Sequence, residues 1–143
     1  MEELSDELIQ LVDEGTIKYT DLARKLGVPL STVHFRMKKL EREGVIRHYK
    51  GEIDWRKAGF LITAYVFVNI DVDLLKKIHK SQDELLKEFG SILYVRDGNL
   101  ITGDADMLLK IIARNPEHLK EILLKHIDSK QGVVRTKTML VLG

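Results

Sequence analysis

Leu8, Ile9, Leu11 and Val12 lie on one helical face, and Leu22, Leu26, Val33, Met37 and Leu40 carry on in steps of three and four. This period predicts three amphipathic helices ahead of Gly44. The first runs from about Ser5 to Glu14, with Ser5 as its cap, Asp6 and Glu7 at the positive end of its dipole and Gly15 closing it. The next two occupy Thr20 to Leu40. Ala23 is small enough for two helices to cross over it, and Gly27 supplies the positive φ that ends the second helix sharply. The third starts somewhere in Pro29 to Thr32, with Ser31 as a capping candidate, and stops at Gly44. Val45 to Lys50 then reads as an extended segment, so the first module is a winged or strand-extended three-helix unit.

Beyond Gly59 the pattern changes. Phe60 to Ile70 is strand-like, and Asp73 to Phe89 places Leu74, Ile78, Leu85 and Phe89 on one helical face with Leu75 and Leu86 beside them. Ser91 to Thr102 and Met107 to Ala113 read as two further strands, Pro116 to Asp128 as a helix, and Val133 to Leu142 as a final strand. The order is βαββαβ, the ferredoxin-like arrangement. The expected class is therefore α+β: a winged helix-turn-helix domain at 1–50, a linker at 51–59 and a ferredoxin-like domain at 60–143. Within the linker, Trp55 is expected to anchor packing rather than stack on a base.

Both alternating sets of the first strand are apolar: Phe60, Ile62, Ala64, Val66, Val68 and Ile70 on one side, Leu61, Tyr65 and Phe67 on the other. Two helices cover only one face of such a sheet, so the other needs a cover. A second copy of the sheet would provide it, giving a two-fold homodimer with two reading helices on one side. Such a dimer calls for a pseudo-palindromic operator with half-sites a whole number of helical turns apart. The alternative cover is the first module of the same chain.

Charge sharpens the reading. The chain of 143 residues carries only +1 overall, yet residues 1–17 contain acidic groups and no Lys or Arg, whereas residues 18–50 hold nine basic residues against Asp21, Glu41 and Glu43. A basic segment coinciding with a helix pair is the footprint of a phosphate-binding face. Thr32, Phe35, Arg36 and Lys39 occupy the face of the third helix opposite its apolar stripe, with Ser31, His34 and Lys38 at the margins. Lys18, Lys38, Lys39, Arg42, Arg47 and Lys50 are candidate phosphate contacts, and Arg36 a candidate for a guanine edge. The competing reading is two surface helices with ordinary solvated charges.

At 44% hydrophobic, the chain suffices for two modules of roughly 50 and 90 residues. It has no Cys, which leaves neither disulfides nor thiolate metal sites. Neither signal peptide nor membrane span is expected, so the anticipated location is the cytoplasm. His34, His48, His79, His118 and His126 show no spacing with carboxylates that would build a metal or nucleophile site, and there is no Walker loop or Gly-x-Gly-x-x-Gly run. No catalytic residue, metal or cofactor is expected.

The helix-turn-helix with Ser31, Thr32, Val33, His34, Phe35, Arg36, Met37, Lys38, Lys39 and Leu40, the βαββαβ order, the turn Thr102, Gly103, Asp104, Ala105, Asp106 and the closing strand through Arg135, Thr136, Lys137, Thr138 and Met139 resemble the Lrp/AsnC (feast/famine) regulators of bacteria and archaea. The resemblance spans nearly the whole chain. It implies a DNA-binding regulator whose carboxy-terminal RAM or ACT-like domain dimerises through its sheet, assembles further into tetramers or octamers, and binds a small effector, commonly an amino acid. It also implies effector roles for Thr102, Gly103, Asp104, Thr136 and Thr138. A carboxylate suits an α-ammonium group, and hydroxyls and turn amides suit an α-carboxylate. Gly103 with Asp104 is equally an ordinary hairpin turn. The sequence departs from the family pattern at Ala105, where an aromatic residue is usual, and in the longer stretch from Ile92 to Gly103, where Asp97 and Gly98 form a turn signal that would displace or bulge the hairpin. Two other functions fit the same layout: a subunit of the sirohaem decarboxylase kind, or an architectural DNA-compacting protein.

Overall fold

The computed structural model describes residues 2–47 and 52–143, in two compact units, Met1–Glu52 and Ile53–Gly143. In the first unit, α1 spans Glu2–Asp13, α2 Tyr19–Leu26 and α3 Leu30–Arg42. Leu8, Leu22, Val33, Met37 and Leu40 are buried together at its centre, with Ile9, Leu11, Val12, Ala23 and Leu26 packed around them. Gly27 takes φ 65°, and the chain reverses there as Val28 N–H donates to the Ala23 carbonyl at 3.1 Å.

One helix start and two expected serine caps differ from expectation, while the third helix starts within the expected Pro29 to Thr32. α1 begins at Glu2, so Ser5 lies inside it. α3 begins at Leu30 and Ser31 caps nothing, because Pro29 (φ −61°) holds its own carbonyl where the N–H groups of Thr32 and Val33 donate to it. Val45 to Arg47 are not strand, and His48 to Lys50, which complete the expected extended segment, lie outside the described residues.

The second unit opens with a turn in which Phe60 N–H donates to the Trp55 carbonyl at 2.9 Å and the two rings meet edge-on, 5.7 Å apart. The Arg96 guanidinium sits 4.3 Å from the Trp55 ring centre. Trp55 is thus a packing residue within this unit. The elements that follow are β1 (Ile62–Ile70), α4 (Val72–Lys77), α5 (Gln82–Gly90), β2 (Val95–Leu100), β3 (Met107–Ala113), α6 (Pro116–Ile122), which continues as a π-helical turn at Leu123–Ile127, and β4 (Val133–Leu140). The strands form one antiparallel sheet in the order β2-β3-β1-β4.

The helices cover one face only. Ala64, Val66, Val68, Met107, Leu109 and Ile111 pack there against Leu75, Leu85, Phe89, Leu119 and Ile122. The helix expected over Asp73–Phe89 is two helices. His79 adopts φ 55° and Ser81 caps a new start by accepting from Glu84 N–H at 3.1 Å, which shifts the buried phase to Leu75, Leu85 and Phe89 and leaves Leu74 and Ile78 exposed. Glu88 of α5 then ties this connection to the segment between the π-helical turn and β4 through Lys80 and Lys130, and the Lys80 ammonium holds its carboxyl below the usual range. Asp97 and Gly98 do not turn the chain; they sit in β2 beside a bulge, where a Cβ on Gly98 would come within 2.9 Å of Leu86.

Gly132 leaves the least room for a side chain among the described glycines of this unit. Its φ is 97°, and an added Cβ would lie 2.6 Å from Leu75 Cδ2 in the core. Gly132→Ala is expected to cost about 1–3 kcal/mol, read as a lower denaturant midpoint for the full chain, because backbone strain and overpacking coincide.

Candidate nucleic-acid interface and ligand pocket

Burial of Val33, Met37 and Leu40 fixes which side of α3 points outward. The exposed row is Ser31, Phe35, Lys38, Lys39 and Arg42, spaced so that they form one stripe along the helix. The other expected residues flank it. His34 is exposed on the side facing α2, where its ring meets Tyr19 edge-on at 4.7 Å. Glu41, also on that side, accepts from the Tyr19 hydroxyl at 3.2 Å and pairs with Lys38 at 3.6 Å. Thr32 and Arg36 are half-buried on the opposite flank, and the Arg36 guanidinium donates to Ser5 Oγ of α1 at 3.4 Å. Lys18 is exposed just before α2, and Arg47 is exposed beyond α3. The middle of the outward face is therefore Phe35 with Lys39 and Arg42, while Thr32 and Arg36, expected on that face with Phe35 and Lys39, stand on its flank.

The second site lies on the sheet face that no helix covers. Register sets it: Asn69 pairs with Arg135, Phe67 with Lys137 and Tyr65 with Met139, and directly opposed residues of an antiparallel pair point the same way. At one end of this face, the turn between β2 and β3 closes over an open cleft of about 530 Å³. Thr102 and Asp104 come from the turn, Asn69 from β1, and Arg135 and Lys137 from β4, over an apolar floor that includes Phe67, Ala105 and Met139. Asn69 Nδ2 donates to the Asp104 carbonyl at 2.8 Å, while Asp106 accepts from Ile70 N–H at 2.8 Å, so the turn is held against the end of β1. Ala105 is buried at this floor, where the small side chain leaves room.

The five effector candidates are not brought together. Thr136 and Thr138 pair with Val68 and Val66 and so project to the helix-covered face. Thr136 there donates to Asp128 at 3.0 Å. Arg135, Lys137 and Asn69, to which the sequence assigned no effector role, take the place expected of the threonines. The alternation of polar residues along β4 carried that signal, but its phase relative to the turn did not show. Among the described residues, neither cation forms an ion pair, and no cluster of three metal-ligating side chains occurs. His118 is structural: its Nδ1 accepts from Arg114 N–H at 3.0 Å and its ring packs edge-on to Tyr94.

A helix-turn-helix with a basic outward stripe, joined to a βαββαβ unit bearing a ligand-sized cleft, defines a DNA-binding transcriptional regulator with a ligand-binding domain. Residues 63–143 match the Lrp/AsnC ligand binding domain, and residues 8–47 match a winged helix-turn-helix DNA-binding domain. The chain is 32% identical, over 93% of its length and 86% of the relative's, to an uncharacterized HTH-type transcriptional regulator of Pyrococcus horikoshii. It is 28% identical, over 94% of its length and 84% of the relative's, to the leucine-responsive regulatory protein of Rhizobium meliloti. Its fold matches that of a transcriptional regulator of Neisseria meningitidis in complex with L-Met, with a TM-score of 0.81 at 20% identity, over 98% of this chain and 88% of that one. This chain belongs to the Lrp/AsnC family of transcriptional regulators. No helix among the described residues is long and apolar enough to cross a membrane.

Proposed function

We propose that this chain is a cytoplasmic regulator without catalytic activity that reads a pseudo-palindromic operator as a homodimer or higher oligomer. Its DNA affinity or assembly responds to an amino acid held in the cleft of the second unit. The observation that carries the effector reading is the charge arrangement of that cleft: one carboxylate, Asp104, with Arg135 and Lys137 across an apolar floor. Asp104 takes the α-ammonium, and a cation with the Thr102 hydroxyl and the turn amide at Gly103 takes the α-carboxylate. The floor receives the side chain. The dimer reading rests on the same face, where Tyr65 and Met139 remain exposed on strands otherwise packed from the other side, with Leu61 exposed just before β1.

The test is calorimetric titration of each amino acid into the full chain, followed by Asp104→Ala. Loss of a charge-assisted contact is expected to weaken the binding amino acid about 10- to 100-fold without lowering the unfolding temperature. Undiminished binding by Asp104→Ala would move the ligand out of this cleft. Analytical ultracentrifugation with and without that amino acid reports the assembly, and a monomer at every concentration would end the dimer reading.

A further inference from the structure

We propose that Phe35 selects thymine at one position of each half-site by packing its ring on the C5 methyl in the major groove. The inference rests on the reading of α3 as the recognition helix and adds which base group it senses. Phe35 is 63% exposed although the core beneath α3 is complete without it. Among the described residues it meets no other aromatic ring. It stands one turn beyond Ser31 and one turn before Lys38 and Lys39, with Arg42 a further turn on, all exposed. Lys39 and Arg42, further along the same stripe, can hold the helix against the phosphates, and that turns the phenyl ring towards the base edges.

A phenyl ring has no donor or acceptor for a phosphate or a polar base edge. The one apolar group that the four base pairs present in the major groove is the thymine methyl. A charged side chain at this position would read another base or none, so the choice of an aromatic group is informative. Ser31, one turn away, is exposed and presents a hydroxyl that can engage the neighbouring base edge.

The experiment isolates the methyl. An operator is selected from random duplex DNA with the full chain, and each thymine is then replaced singly by deoxyuridine, which keeps pairing and removes only the C5 methyl. At one thymine in each half-site, the replacement should weaken wild-type binding about fourfold, the value of one buried methyl-sized group. Phe35→Ala should bind thymine and deoxyuridine operators equally, and Phe35→Leu, still apolar, should keep part of the preference. Unfolding temperatures of both variants should match wild type, since the ring is not in the core. Wild-type indifference to deoxyuridine at every position, or a methyl preference that persists in Phe35→Ala, overturns the proposal while leaving α3 as a DNA-binding helix. Failure to hold any duplex at low salt overturns both.

Discussion

Replacing Lys39 and Arg42 together by alanine should lower the slope of log K against log salt by nearly two units per bound subunit, since each phosphate contact contributes about 0.9. Near 0.1 M salt this corresponds to a loss of about one and a half to two orders of magnitude in DNA affinity, on specific and random duplex alike. Both side chains are exposed on the outward stripe of α3 and neither is tied into an ion pair among the described residues. Lys38 provides the internal contrast. Glu41 lies 3.6 Å from its ammonium, so Lys38→Ala should reduce the slope by distinctly less than one unit. Fluorescence anisotropy of a labelled duplex across a salt series measures all three, and an unchanged slope for the double variant would detach α3 from the phosphates.

Leu22→Ala should abolish DNA binding by unfolding the first unit. Leu22 is wholly buried where α2 meets α1 and α3, and a leucine-to-alanine cavity in such a core costs about 2–5 kcal/mol. A unit of this size has a total stability of the same order, about 0.05–0.15 kcal/mol per residue, and among its described residues five apolar side chains are fully or nearly buried. The second unit has its own larger core on the covered face of the sheet. Calorimetry should therefore show the transition of the first unit shifted or lost while that of the second persists, and amide exchange should show protection vanishing from α1 to α3 alone. A retained DNA affinity in Leu22→Ala would contradict the view that these three helices stand on this one small cluster.

How much was legible beforehand differs between the two sites. On α3, Val33, Met37 and Leu40 announce the buried side by spacing alone, and the opposite side follows from 100° per residue. Arg36 lies within the basic stretch but stands about 100° from Phe35 around the helix, and only the tertiary structure shows that its guanidinium there donates to Ser5 of α1. Helix ends were less legible. Ser5 and Ser31 have the chemistry of caps, yet a proline carbonyl and an earlier start displaced them. In the second unit, the single helical pattern read from Asp73 to Phe89 concealed a break, because Ser81 caps a new helix and the backbone at His79 turns left-handed.

The order of elements, the apolar face of each helix and the glycine that ends α2 depend on local periods and backbone sterics, so the sequence by itself determined them. The make-up of the ligand cleft depends on pairing between distant strands. A register shift between Asn69 and Ile70 sets which residues of β4 face the turn, and a slip of one residue would exchange Arg135 and Lys137 for Thr136 and Thr138. Tertiary structure alone decided that choice, because the alternation of a strand states which side chains share a face but not which face lies open.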